Sequence, residues 1–236
     1  MTITLSALRT AVRERAGMES NDPTNAFITN TELNTIINTS AAELHGLKVT
    51  TYEDYSLTRA TSTVASGANT ITLPTDCMKI RKLEWRVSTQ TGDWLNVPQV
   101  SLQEIDRINL LRGRSAFGPG GWLLDETSIF IVPESSADGT YRVWYAKKYS
   151  AMTSDSDTID DSNGWHEYVI VDAAMKCLGK EESDVSLLAA QKLGLIARIT
   201  TEAANRTAGG PHRVVDVRGD EDDFGYNGSY SRRGWW

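Results

Sequence analysis

The sequence predicts an α+β protein: helices from the two chain ends form one helical body, a mainly antiparallel β region is inserted between them, and an extended arm trails at the C-terminus. Three observations lead there. Apolar residues repeat at helical spacing in residues 1–50 and again in residues 164–210. Between them, from Tyr52, the period changes to two and β-branched residues crowd in, so residues 51–150 read as a β-rich insertion with one embedded helix. After Pro211 the only aliphatic side chains left are Val214, Val215 and Val217, so residues 211–236 cannot build a core of their own.

The first helix spans residues 5–16, with Leu5, Leu8 and Val12 on one stripe and Gly17 placed to end it. A turn-rich stretch, residues 19–25, follows. The second helix has a full start signal: Thr29 as N-cap, Glu32 for the reciprocal capping bond, and Ile28 to staple onto Leu33. Its stripe continues through Ile36, Ile37, Ala41 and Leu44, and Gly46 offers a left-handed stop.

In the β region, residues 70–73 form one strand before Pro74 and residues 78–87 another, with Ile80, Leu83, Trp85 and Val87 as buried candidates. A short strand over residues 94–97 precedes a helix capped by Ser101 and Glu104, with Leu102, Ile105, Ile108 and Leu111 as its apolar set. After the glycine-rich residues 113–121, a hairpin turns around Asp125 and Glu126, and residues 141–149 form a long alternating strand. Residues 151–163 read as an acidic linker.

Beyond the linker, Trp165, Tyr168, Val171, Met175 and Leu178 recur at helical spacing, and Val185, Ala189, Leu193, Ile196 and Ala203 do so again. The last helix also carries Ala190, Gly194, Ala197, Thr201 and Ala204 on one face, small enough for another helix to approach closely. That face reads first as packing inside the subunit and second as a subunit contact.

The tail holds an acidic run, residues 220–223, and then Phe224, Tyr226, Tyr230, Arg232, Arg233, Trp235 and Trp236 spaced by Gly, Asn and Ser. Large aromatic side chains dominate binding hot spots, and adjacent tryptophans left in water are a solubility liability. These seven residues are the expected partner-binding set.

Composition sets limits on function. The 236 residues are 40% hydrophobic, enough to bury a core, and carry a net charge of −7, which argues against a general nucleic-acid binder. No run of about 18 apolar residues suggests a membrane span, and residues 1–6 lack a secretory pattern. Cys77 and Cys177 stand far apart in unrelated contexts and read as core thiols rather than a metal knuckle or a disulfide.

Candidate chemistry is sparse. His45, His166 and His212 are not paired at ligand spacing. Asp155, Asp157, Asp160 and Asp161 resemble a calcium loop only until Ile159 and Asp160 occupy its fifth and sixth positions and His166 its closing one. A glycan hydrolase would need two carboxyls facing across a gap of roughly 5–10 Å. Asp125 with Glu126 and Glu181 with Glu182 are adjacent pairs and give no such sign. No catalytic, cofactor-binding or metal site is expected. The tryptophan-rich strands leave open a carbohydrate- or receptor-binding module of a tail fibre, against which the long C-terminal helices argue.

Several phrases carry a resemblance: Ala68-Asn69-Thr70-Ile71-Thr72-Leu73-Pro74 leading into the Lys79 strand, the helix from Trp165 followed by Glu181-Glu182-Ser183-Asp184, and Arg206 ahead of Pro211-His212-Arg213-Val214-Val215-Asp216-Val217. In their order and spacing over residues 5–218 the chain resembles the head-to-tail adaptor (connector ring) proteins of short-tailed bacteriophages. The resemblance implies a structural virion protein of the phage neck, made in the host cytoplasm. Its copies would form a closed dodecameric ring docked on the portal protein, offering the attachment site for a tail or nozzle protein. Genome DNA would pass through the lumen without specific binding, during packaging and ejection.

Overall fold

Strand β1 (Thr2–Thr4) runs straight into helix α1 (Leu5–Ala16) because Thr4 is both the last strand residue and the cap, its Oγ1 accepting the Ala7 N–H at 3.2 Å. The structure is a computed structural model and describes residues 2–18, 27–87, 92–112, 118–133, 137–160 and 163–205. Gly17 ends α1 in the left-handed conformation, as its position predicts, with the Met18 N–H returning to the Arg13 carbonyl at 2.9 Å.

Helix α2 (Asn30–Thr51) starts where expected, the Glu32 N–H donating to Thr29 Oγ1. Two details differ. The Glu32 carboxylate accepts from Lys180 Nζ at 2.6 Å, linking α2 to a distant helix. Gly46 does not stop the helix, which continues to Thr51 because Lys48 and Val49 are buried against the tertiary core. Packing overrides the intrinsic cost of one internal glycine, roughly 1 kcal/mol.

The β region contains two sheets. Strands β2 (Leu57–Val64), β4 (Cys77–Arg86), β5 (Leu95–Val97) and β8 (Gly139–Lys147) form one, in the antiparallel order β2-β8-β4-β5. Strands β3 (Thr70–Thr72), β6 (Gly121–Asp125) and β7 (Ser128–Val132) form the other, in the order β3-β7-β6. Between β5 and β6 lie a 3₁₀ turn, Leu102–Glu104, and helix α3 (Ile105–Arg112); the Glu104 carboxylate accepts both the Ser101 N–H and its hydroxyl. The apolar set of α3 is less buried than its spacing suggests, with Leu102 fully on the surface and Ile105 and Ile108 half-buried. Val87, a buried candidate, is exposed at the end of β4.

The acidic stretch read as a linker contains strand β9 (Thr158–Asp160), antiparallel to β1. Around it, Asp157 accepts backbone N–H groups from Thr153 and Ser154, and Asp155 pairs with Arg9 at 2.6 Å. The turn they organise is fastened to the start of α1, the Leu5 N–H donating to Asp157 O at 2.9 Å and the Ser6 N–H to Asp155 O at 3.2 Å.

Helices α4 (His166–Lys180) and α5 (Ser186–Ala204) complete the helical body. Its core joins Leu5, Leu8 and Val12 of α1, Leu33, Ile37 and Leu44 of α2, and Val169, Val171, Ala173 and Cys177 of α4. A second core, under the sheets, joins Leu83, Trp85, Trp122, Ile129, Ile131, Tyr141 and Val143. Strand β8 touches both, since Tyr145 belongs to the sheet core and its neighbour Ala146 to the helical one, as alternation of strand side chains requires.

Candidate functional site

Chain-end aromatics were the sequence-based candidates for partner binding. Phe224, Tyr226, Tyr230, Arg232, Arg233, Trp235 and Trp236 all lie outside the described residues. The carboxylates considered for hydrolysis can be located. Asp125 and Glu126 are exposed at the β6–β7 turn, and Glu181 and Glu182 are exposed between α4 and α5.

Helix α5 brings a correction. Its core-facing residues are Leu188, Ile199 and Ala203, whereas Leu193, placed on the buried stripe by sequence spacing, is 68% exposed. The small-residue face also points outward: Ala190, Gly194, Ala197, Thr201 and Ala204 are exposed, so it is not packed against the described residues of the subunit. In a helix with apolar residues on several sides, more than one phase fits, and spacing has little power to choose the buried side. Beside this face, α1, α4 and α5 border an open groove of about 830 Å³ that includes Val171, Leu178, Leu187 and Gly194.

The helical body is clasped by a charged cluster. Asp172 of α4, only 2% exposed, receives Lys192 Nζ of α5 at 2.6 Å, and its second oxygen lies 2.7 Å from Lys176 Nζ. Lys176 also donates to Glu43 of α2 at 2.7 Å and to Ser40 at 3.2 Å. Burial alone would raise the Asp172 carboxyl, but hydrogen bonds from both lysines and Ser40 outweigh it and hold it below the usual range. Burial likewise works against the charge of both lysines, and their carboxylate partners reverse the effect and raise them. Such mutual compensation makes a rigid clasp across three helices.

The other distinctive surface is the outer face of the four-stranded sheet, opposite Tyr141 and Val143. Alternation puts Arg142 and Trp144 of β8 there, beside Glu84 and Lys82 of β4. Glu84 accepts from Trp144 Nε1 at 2.8 Å and from Lys82 Nζ at 2.6 Å, and Arg142 approaches at 3.4 Å. The guanidinium of Arg59 stacks over Trp144 at 5.6 Å, and those of Arg86 and Arg142 over Trp94 at 4.6 and 4.0 Å. The face is open, with a depression of about 590 Å³ bordered by Leu57, Lys82, Glu84, Asn96, Trp144 and the Arg81–Asp54 ion pair. These residues were not singled out as a site in the sequence, although odd–even alternation along β8 separates them from the core set.

Among the described residues the buried charged cluster holds three helices together, and the sheet face is an open, charged surface. A family model described as SU10 adaptor protein matches residues 3–215. The chain belongs to this family. It is therefore a phage head-tail adaptor, a structural virion protein without catalytic function that binds other virion proteins. A search of curated proteins finds no match. Family membership sets aside the tail-fibre and hydrolase alternatives. The acidic pairs of the adaptor are accounted for as turn and helix-end residues. Among its described residues no helix is long and apolar enough to cross a membrane, and no group of three or more His, Cys, Asp or Glu is placed to hold a metal ion.

Proposed function

We propose that this adaptor forms a closed, dodecameric ring that docks on the portal protein, lengthens the DNA channel and provides the attachment site for the tail. The observation that supports this reading most is the family match, which runs through both helical ends and both sheets. Subunits in head-to-tail contact close into a ring when the rotation between neighbours fits, and otherwise form open filaments. In this reading its partners are the portal, neighbouring adaptor subunits and a tail or nozzle protein, and its place is the virion neck after synthesis in the host cytoplasm. Genome DNA slides through the lumen without specific binding, helped by the net charge of −7.

The docking element is the arm, residues 211–236. Ordering it costs roughly 1–2 kcal/mol per residue in backbone entropy. Phe224, Tyr226, Tyr230, Trp235 and Trp236 offset that cost by inserting into portal surfaces, with Arg232 and Arg233 near acidic groups and backbone hydrogen bonds to an added-strand partner. Electron microscopy of the full chain mixed with the portal protein of the same phage tests this. A ring seated on the portal is expected; a portal that never retains the full-length chain sinks the reading. Removing residues 219–236 should leave the body folded while weakening attachment, and W235A with W236A should reproduce part of that loss. Equal retention of the truncated chain would remove the arm from the proposal and leave the ring.

A further inference from the structure

Two exposed surfaces of this chain carry opposite charge, and each breaks a local rule of stability. The first is the sheet face described above. It brings together four cations, Arg59, Lys82, Arg86 and Arg142, with Glu84 among them, while Asp54 at its edge is taken up by Arg81. Lys82 and Arg142 share that carboxylate, while Arg59 and Arg86 have no acidic partner among the described residues. The Nε–H groups of Arg86 and Arg142 are buried and find no acceptor among the described residues. Tryptophan rings hold guanidiniums in place, so the positive groups are preorganised rather than free to disperse.

The second surface is the corner between α4 and α5. Helix α4 ends in a Schellman motif, the Ser183 N–H donating to Leu178 O at 3.0 Å and the Glu182 N–H to Gly179 O at 3.4 Å. At α1 the left-handed position of the equivalent turn is Gly17, with φ +68°; here it is Glu182, at φ +57°. A side chain in that region is disfavoured. Glu181 and Glu182 also put negative charge beside the helix C-terminus, whose carbonyl ends are themselves negative. Asp184 has a local task, since it accepts the Ser186 N–H at 2.9 Å. Glu181 and Glu182 have none among the described residues, and Leu187 one turn on is 70% exposed. Glycine or lysine would satisfy this corner better in an isolated subunit.

We infer that a second copy of the chain places its Glu181–Glu182 corner, with Leu187 beside it, on the Arg59–Lys82–Arg86–Arg142 face of the sheet. The contact is heterologous, joining different surfaces of two copies, which is the geometry that propagates from subunit to subunit. It rests on the ring reading above and assigns that ring its surfaces. The two glutamates pair with Arg59 and Arg86, which lack an acidic partner among the described residues, and Leu187 covers Leu57, which is 40% exposed and borders the depression with Trp144. The outward side of α5 is then continuous with the contact.

Full-length chain, alone at high concentration and mixed with the portal protein of the same phage, is followed by native mass spectrometry and sedimentation. Arg59→Glu with Lys82→Glu on one version, and Glu181→Arg with Glu182→Arg on another, should each weaken self-association by at least about tenfold, because like charges then oppose across the contact. A chain carrying all four changes should regain most of it. Circular dichroism and thermal melting report whether each variant is folded. Should a reversal variant misfold, Arg59→Cys and Glu182→Cys single variants are used instead. A short thiol cross-linker should join one to the other in a mixture and give little product within either alone. Association that survives both reversals, or cross-linking no better in the mixture, overturns the contact but not the ring. A wild-type chain that stays monomeric even with the portal overturns both.

Discussion

Charge lies inside the helical body and outside the sheet. In the helices, Asp172 is sealed among Lys176, Lys192 and Ser40, with Glu43 completing the cluster, and Lys48 is buried near the rings of Tyr55 and Trp165. In the sheet, the core holds Trp85, Trp122, Tyr141 and Tyr145, while Lys82, Glu84 and Arg142 face the other way. Helices from distant parts of the chain have few backbone hydrogen bonds to one another, so a buried ionic clasp can fix their alignment. Strands are already fixed by their ladders, and their large rings need only space and one hydrogen bond each. Trp85 Nε1 donates to Asp138 O at 3.0 Å, Trp122 Nε1 to Val97 O at 3.1 Å, and Tyr141 OH to Ala137 O at 2.7 Å. The helical region should therefore be sensitive to charge and the sheet to volume.

The largest effect is expected in the clasp. Asp172→Ala leaves Lys176 and Lys192 with Glu43 as their remaining carboxylate and should cost about 3 kcal/mol by denaturant unfolding. The acid limb of a stability–pH curve should change with it. The Asp172 carboxyl is depressed in the folded state, so its contribution is fully present above its unfolded pKa and is lost as pH falls through the folded value. Asp172→Ala should flatten that limb. If it does not, the clasp is not where the helical body stores its electrostatic stability.

A volume change in the sheet comes next. At Gly139, with φ +146°, an added Cβ would overlap the Trp85 ring and lie 2.8 Å from Arg86 O. Gly139→Ala should cost about 2–3 kcal/mol and leave the acid limb unchanged. An unaltered melting temperature would show that the sheet core yields more easily than the close approach suggests.

Tyr141→Phe removes one hydroxyl and strands the Ala137 carbonyl, for a loss of about 1–2 kcal/mol. Burial pushes the Tyr141 phenol well above its ordinary value, so ultraviolet titration should show one tyrosine fewer in the late-ionising set. The smallest change has the opposite sign. Glu182→Gly relieves a left-handed side chain and should stabilise the isolated subunit by about 0.5–1 kcal/mol, read as a rise in melting temperature. No rise would mean that the corner carries no local penalty.

How far the sequence reached depended on how local the signal was. Thr29 with Glu32, Ser101 with Glu104, and Gly17 marked helix ends because a cap is decided within four residues. Strand β8 and the β6–β7 hairpin were legible from alternation and turn residues. The pairing of β9 with β1 was not, since three residues in an acidic stretch carry no period, and their partner lies at the other end of the chain. The sheet face is illegible for the same reason: Arg59, Lys82 and Arg142 stand on three strands, with Trp94 just ahead of β5, and become neighbours only when β2, β8, β4 and β5 line up.

By itself the sequence determined the order of regions, two helices, a β-rich stretch with an embedded helix and two further helices, together with the α+β class and the likeness to phage adaptors, because these rest on periodicity, caps and the linear order of motifs. Only the tertiary structure decided that α2 runs through Gly46, that Leu193 and the small side of α5 face outward, and that four cations gather on one sheet face. Each of those depends on what a residue meets from elsewhere in the chain. A helix apolar on several sides has no preferred burial until its neighbours supply a core on one of them.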